Sequence, residues 1–158
     1  MEDRYLFKTK RTDNGEWVQG NLVWSDDADD DYKAVIIPTT NSNMFTRGGA
    51  RGDLGFENWC RVDPSTICQC TGLKDKNGKL IWENDIVEKE FYTDYDAFAN
   101  SERYVGTIKW TDCAAWEVVT DRCNILIAHE LEFTDWKDHC KVIGNIFDNP
   151  ELLESEEK

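Results

Sequence analysis

The stretch Gln69–Val87, QCTGLKDKNGKLIWENDIV, decides the fold class of this chain. Two runs able to form strands, Ile67–Thr71 and Leu80–Trp82, flank a polar break, Lys74-Asp75-Lys76-Asn77-Gly78-Lys79. Asn77-Gly78 predicts a β-hairpin, because a type I′ turn needs positive φ at both central residues. Glu83-Asn84-Asp85 reads as a second turn, in which Asn and Asp hydrogen-bond their own backbone. A further strand then starts at Ile86-Val87 and runs toward Phe91.

The same alternation of strand and turn extends in both directions. Arg4–Arg11 alternates as a strand, Thr12-Asp13-Asn14-Gly15 turns, and Glu16–Trp24 returns, with Gly20 suggesting a bulge. Lys33–Thr40 is a strand ending around Pro38, and Asn41–Gly55 reads as a long loop. Asp63-Pro64 is turn chemistry, since Asp63 cannot easily be helical before a proline. Phe91–Arg103 reads as a connecting loop, Tyr104–Trp110 and Trp116–Thr120 as a hairpin, and Cys140–Phe147 as the last strand. Asn124–Glu132 fits a strand or a short helical turn. Val87, Ile108, Val118 and Ile143 are expected to point into a core that Trp82, Trp110 and Trp116 help to fill. No amphipathic helix of three turns is legible, so the class is mainly β, α+β at most.

Thirty-two acidic against eighteen basic side chains leave a net charge of −14. Such a surface repels phosphate backbones unless a local basic patch exists; it confers solubility or attracts basic proteins. The start of the chain has no apolar signal segment, and the longest aliphatic run, Ala34-Val35-Ile36-Ile37, is too short to span a bilayer. A soluble cytoplasmic protein without a membrane partner is expected. Reduced thiols are expected for Cys60, Cys68, Cys70, Cys113, Cys123 and Cys140. No CxxC pair accompanies His129 and His139, and Cys68 and Cys70 have the spacing of one strand face.

Asp94 and Asp96, or Glu83, Asp85 and Glu88, could meet a magnesium ion, but a chain this acidic produces such sets by composition alone. The Arg47-Gly48-Gly49-Ala50-Arg51-Gly52 segment lacks the Gly-Lys-Ser/Thr ending of a phosphate loop. No nucleophile elbow or HExxH occurs. Neither catalytic residues nor a cofactor nor a metal is assigned, and an enzyme is not expected.

Three places carry a resemblance: Asp63–Thr66 with Gln69–Val87, then Val142–Leu153, and more weakly Phe7–Leu22. Together they resemble the YopX-like family of bacteriophage and prophage proteins. The chain reads as two small β subdomains, residues 1–66 and 67–158, expected to pack closely enough to behave as one unit. The resemblance implies that the second is an SH3-like small β-barrel, ending in a charged tail. Asn84 stands where family members usually carry glycine, and Asn tolerates the left-handed conformation. Cys68 and Cys70 stand where relatives tend to carry glycine and an aromatic. No catalytic residue is carried over.

The function these features suggest is that of a non-catalytic accessory protein, acting in the cytoplasm of a bacterial host by binding a host or phage protein. Candidate contacts are the acidic run Asp26, Asp27, Asp29, Asp30 and Asp31, with Trp59 and Trp136 as aromatic anchors. The alternative is a nucleic-acid-binding module using Arg47, Arg51, Lys74, Lys76 and Lys79. Self-association is also expected, since small sheets with aromatic edges often pair symmetrically.

Overall fold

The computed structural model describes residues 5–26, 33–47, 52–92, 101–110, 116–120 and 140–154. Among these the protein is mainly β, with antiparallel strands and short 3-10 turns. It divides into two compact units, Met1–Gln69 and Cys70–Lys158.

The first unit is built on β1 (Phe7–Lys10), β2 (Trp17–Trp24), β3 (Ala34–Pro38), β4 (Met44–Arg47), β5 (Asp53–Phe56) and β6 (Cys60–Arg61). Four of them form an antiparallel sheet in the order β6-β3-β2-β1, and Cys68 and Gln69 pair with β1. Strand alternation puts Phe7, Val18, Leu22, Ala34, Ile36 and Cys60 on one face, packed with Val62 and Ile67. Thr9, buried on that face, donates to the Asp63 carbonyl at 3.0 Å and shares a 2.9 Å hydrogen bond with Thr66 Oγ1. Asp63 in turn caps the 3-10 turn Pro64–Thr66 by accepting from the Ser65 N–H at 2.9 Å. Polar groups beneath the sheet are thereby satisfied, as burial requires.

Two expectations for this unit are corrected. Gly20 lies in unbroken register with both Phe7 and Pro38, so it is no bulge. A Cβ there would sit 2.1 Å from the Ile37 carbonyl oxygen; glycine allows β3 to approach. Residues 41–55 are not one long loop either. Met44–Arg47 and Asp53–Phe56 pair as a ribbon, Met44 opposite Phe56 and Arg47 opposite Asp53.

The chain enters the second unit within β7 (Cys68–Lys74) and continues through β8 (Leu80–Trp82), β9 (Asp85–Tyr92), β10 (Ser101–Trp110), β11 (Trp116–Val119) and β12 (Lys141–Asn145). The larger sheet runs β11-β10-β9-β12. An SH3-like barrel is compatible with this arrangement. Ile81, Val87, Ile108, Val118, Cys140 and Val142 form its core, backed by Leu73, Tyr104 and Trp116. Burial of each such aliphatic side chain contributes about 1.5–3 kcal/mol.

Here too the structure differs from the sequence reading. Strands β9 and β10 extend to Tyr92 and from Ser101, consuming part of the supposed 91–103 loop. Val142, not Ile143, takes the core position: pairing with β9 shifts between Val142 and Gly144, so Ile143 is an extra residue that reverses the parity. Trp110 does not fill the core; it is 52% exposed and meets Trp116 edge-on, ring centroids 4.9 Å apart.

The decisive hairpin forms by different turn chemistry. Only Gly78 has positive φ, +80°, so Asn77-Gly78 is not a type I′ pair. The Gly78 N–H bonds the Asp75 carbonyl at 2.8 Å, and the Asp75 N–H bonds the Lys79 carbonyl at 2.8 Å. This is a turn over Lys76 and Asn77 followed by a left-handed glycine. The buried Asp75 carboxylate accepts from the N–H groups of Asn77 (2.8 Å) and Lys79 (2.9 Å) through one oxygen, and from Val142 (3.0 Å) through the other. Burial pushes its pKa up, but the three N–H donors and the Lys79 charge outweigh that and hold it below the usual carboxylate range. Burial, with the Asp75 charge adding, pushes the Cys140 thiol up to about 11.

Asn84 adopts φ +64°, as the turn before β9 requires. Its side-chain oxygen accepts from Lys109 Nζ at 2.7 Å, and Asp85 accepts from the Trp82 N–H at 2.9 Å.

Candidate functional site

Strand β3 reads Ala-Val-Ile-Ile-Pro, apolar on both faces, and a strand that is apolar on both faces needs cover on both. Ala34 and Ile36 face the core described above. Val35 and Ile37 point the other way, and the register places Val23 directly opposite Val35. On that second face the cover is incomplete. Leu54, Gly55 and Phe56 of β5, together with Trp59, wall a cleft of about 300 Å³ whose floor is Val23, Val35 and Ile37. Leu54 remains 62%, Val23 47% and Trp59 46% exposed. Apolar surface left this open is the usual mark of a contact site.

The polar segment before β4 explains how the wall is held. Ser42 Oγ donates to the Asn58 carbonyl at 2.9 Å, and Asn43 Nδ2 donates to Glu57 Oε2 at 2.8 Å. Asn58 Nδ2 bonds the Asn41 carbonyl, and the Glu57 N–H bonds the Asn43 carbonyl at 2.9 Å. Phe45 lies across Gly55, where a Cβ would come within 2.6 Å of the ring, and Arg47 stacks 5.4 Å from the same ring centroid. The asparagines and the glycine that make this stretch read as a loop are therefore what fastens the ribbon.

The cleft is one end of a longer surface. Reading the registers across the second face gives Lys10 beside Trp17, Lys8 beside Gln19, Asn21 beside Ile37, and Val23 beside Val35 and Arg61. Cys68, next to Lys8 in the same row, is buried. Lys8 and Lys10 lie 5.2 and 5.5 Å from the Trp17 ring centroid. No carboxylate occurs among the described positions of this face, in a chain with 32 of them.

Of the residues singled out from sequence, Trp59 lies in the cleft and Arg47 on the ribbon beside it. Asp26 is exposed, one residue past Ser25, whose N–H bonds the Lys33 carbonyl at 2.8 Å. Lys74, Lys76 and Lys79 share the second unit's exposed hairpin around Asp75. Asp27, Asp29, Asp30, Asp31, Arg51 and Trp136 lie outside the described residues, as do His129, His139, Asp94, Asp96, Cys113 and Cys123. Among the carboxylates considered for a metal, Asp85 is held by the Trp82 N–H, and Glu88 pairs with Arg103 at 2.7 Å and Lys141 at 3.8 Å. Among the described residues no group of three or more His, Cys, Asp or Glu side chains is placed to hold a metal ion. The sequence reading missed Val23, Val35, Ile37, Leu54 and Phe56; the unalternating run at Ala34–Ile37 was the available signal.

Fold and cleft together define a small, mainly β protein of two compact units with a partly uncovered sheet face. The chain belongs to the YopX protein family, which it matches over residues 6–154. It is similar to the crystal structure of protein EF1440 from Enterococcus faecalis, at 26% identity and a TM-score of 0.52, over 94% of this chain and 96% of that one. No curated protein matches the chain. Among the described residues no helix is long and apolar enough to cross a membrane.

Proposed function

We propose that this is a non-catalytic accessory protein of phage or prophage origin that works in the bacterial cytoplasm by binding another protein, with the cleft over β3 as its docking surface. The observation that carries this reading is the apolar floor of Val23, Val35 and Ile37, left open between the sheet and a ribbon that its own hydrogen bonds hold in place. A preformed apolar pocket flanked by an exposed tryptophan is where binding energy concentrates in protein interfaces. The form of the reading that relies on the acidic run rests on charge alone, whereas the cleft adds shape and apolar exposure.

Leu54→Asp tests it. Leu54 is largely exposed, so the substitution changes stability by no more than about 0.5 kcal/mol. Immobilised wild-type protein should retain a partner from bacterial lysate that the Leu54→Asp protein loses. A partner retained equally by both proteins moves the docking surface elsewhere. Salt-sensitive binding of DNA or RNA abolished by Lys74→Ala with Lys76→Ala would instead support a nucleic-acid module.

A further inference from the structure

We infer that the partner docks as an extended chain segment, adding a third strand to the ribbon along the free edge of β5 with its apolar side chains in the cleft. This deepens, and rests on, the reading of the cleft as a protein-docking surface. The edge follows from the hydrogen-bond pattern. The Glu57 N–H bonds the Asn43 carbonyl at 2.9 Å, so Asn43 and Glu57 form a hydrogen-bonded pair of the ribbon. In an antiparallel ladder such pairs alternate with wide ones. The register then makes bonded pairs of Phe45 with Gly55 and of Arg47 with Asp53, whereas Leu54 and Phe56 turn their N–H and C=O groups away from β4. Among the described residues β5 pairs with β4 alone, and neither Leu54 nor Phe56 makes a hydrogen bond on its outer side.

The cleft lies along that same edge. Three consecutive residues of β5, Leu54, Gly55 and Phe56, line it, and no residue of β4 does. Side chains alternate between the two faces of a strand, so a cleft bounded by three residues in succession borders the edge. A strand added there places two of its residues opposite Leu54 and Phe56. They exchange main-chain hydrogen bonds with them and point their side chains the same way, over Val23, Val35 and Ile37. In this mode main-chain pairing supplies affinity and the pocket supplies selectivity. Charge narrows the segment further. Asp53 and Glu57, both exposed, stand at the two ends of the edge in a chain of net charge −14, and Arg61, beside Val35, offsets only one of them. Carboxylates on the segment are therefore disfavoured, and Lys or Arg beside its apolar residues is favoured.

The test is selection of a displayed random 12-residue peptide library on the whole protein, with peptides that also bind Leu54→Asp removed. The enriched sequences should carry apolar residues at positions i and i+2, with Lys and Arg outnumbering Asp and Glu around them. A synthetic copy methylated on the backbone nitrogen of either apolar residue should bind about tenfold or more weakly, because the methyl group removes a donor that faces the edge. Methylation of the residue between them should leave affinity within about twofold, since its N–H points away from β5. This series is read on wild-type protein and needs no variant to fold. Cleft-dependent peptides whose affinity does not alternate with the methylated position, or that are rich in Asp and Glu, overturn the inference and leave protein docking standing. Failure to enrich any cleft-dependent peptide overturns both. A concentration-dependent dimer, seen by light scattering and lost in Leu54→Asp, assigns the edge to a second copy of the chain instead.

Discussion

Two Asn-Gly loops, one in each unit, carry the same dipeptide and close in different ways. At Asn14-Gly15 the Arg11 N–H bonds the Glu16 carbonyl at 2.9 Å, and the Gly15 N–H bonds the Arg11 carbonyl at 3.0 Å. Its side-chain contacts are local and exposed: Arg11 Nε donates to Asp13 Oδ1 at 2.9 Å, and the Glu16 N–H donates to Asn14 Oδ1 at 3.0 Å. At Asn77-Gly78 the carboxylate is buried, and one of its three donors, Val142, comes from a strand 67 residues away. In both loops glycine alone takes positive φ, +72° and +80°. The dipeptide thus places the left-handed residue, while the depth of the neighbouring carboxylate decides how much stability the loop carries.

Asp75→Asn should break the contrast most strongly. An amide offers one acceptor oxygen and sets an NH₂ group against a backbone donor, so the variant should unfold about 3 kcal/mol more easily in urea. The pH dependence has a definite sign. The folded pKa of Asp75 lies below its unfolded value, so its contribution is complete above pH ~4. It is lost as pH falls through the folded pKa, and the variant should lack that part of the acid limb. Equal unfolding of wild type and variant at pH 7 would show that the three hydrogen bonds to Asp75 do not stabilise the fold.

Substituting the two glycines should bring the loops back to parity. A Cβ at Gly15 or Gly78 meets nothing within 4 Å, so only backbone strain is at issue. Gly15→Ala and Gly78→Ala should each cost about 1 kcal/mol in thermal or chemical unfolding. A much larger loss at one site alone would show that its turn serves more than chain reversal.

Asp13→Asn should have the smallest effect. Its carboxyl is held below the usual range by the hydrogen bond from Arg11, but the pair is exposed, and no measurable change in stability is expected.

These loops also show what the sequence made legible. Turn dipeptides and period-two alternation located β1, β2, β3, β8 and β11, and Asn84 was recognised as a left-handed position. Turn type was not legible at Asn77-Gly78, because the carboxylate that selects it depends on β12, far along the chain. Parity failed at Ile143 for a related reason, since a bulge leaves no mark in an apolar run. The ribbon escaped because its strands have four residues each and their fastening side chains, Asn41, Ser42 and Asn43, are those of a loop. At the site, Trp59 was legible as an exposed aromatic, but the cleft floor was not. Whether a second apolar face is covered depends on tertiary structure rather than on local pattern.

A partner docked on the face over β3 leaves its footprint on the strands that line the cleft. Amide hydrogen exchange of the whole protein, free and saturated with the partner that Leu54→Asp loses, reads this footprint directly. Protection should concentrate in Ala34–Pro38, Met44–Arg47 and Asp53–Phe56, with the Lys74–Lys79 loop unchanged. Protection at Lys74–Lys79 with none at those strands would contradict it.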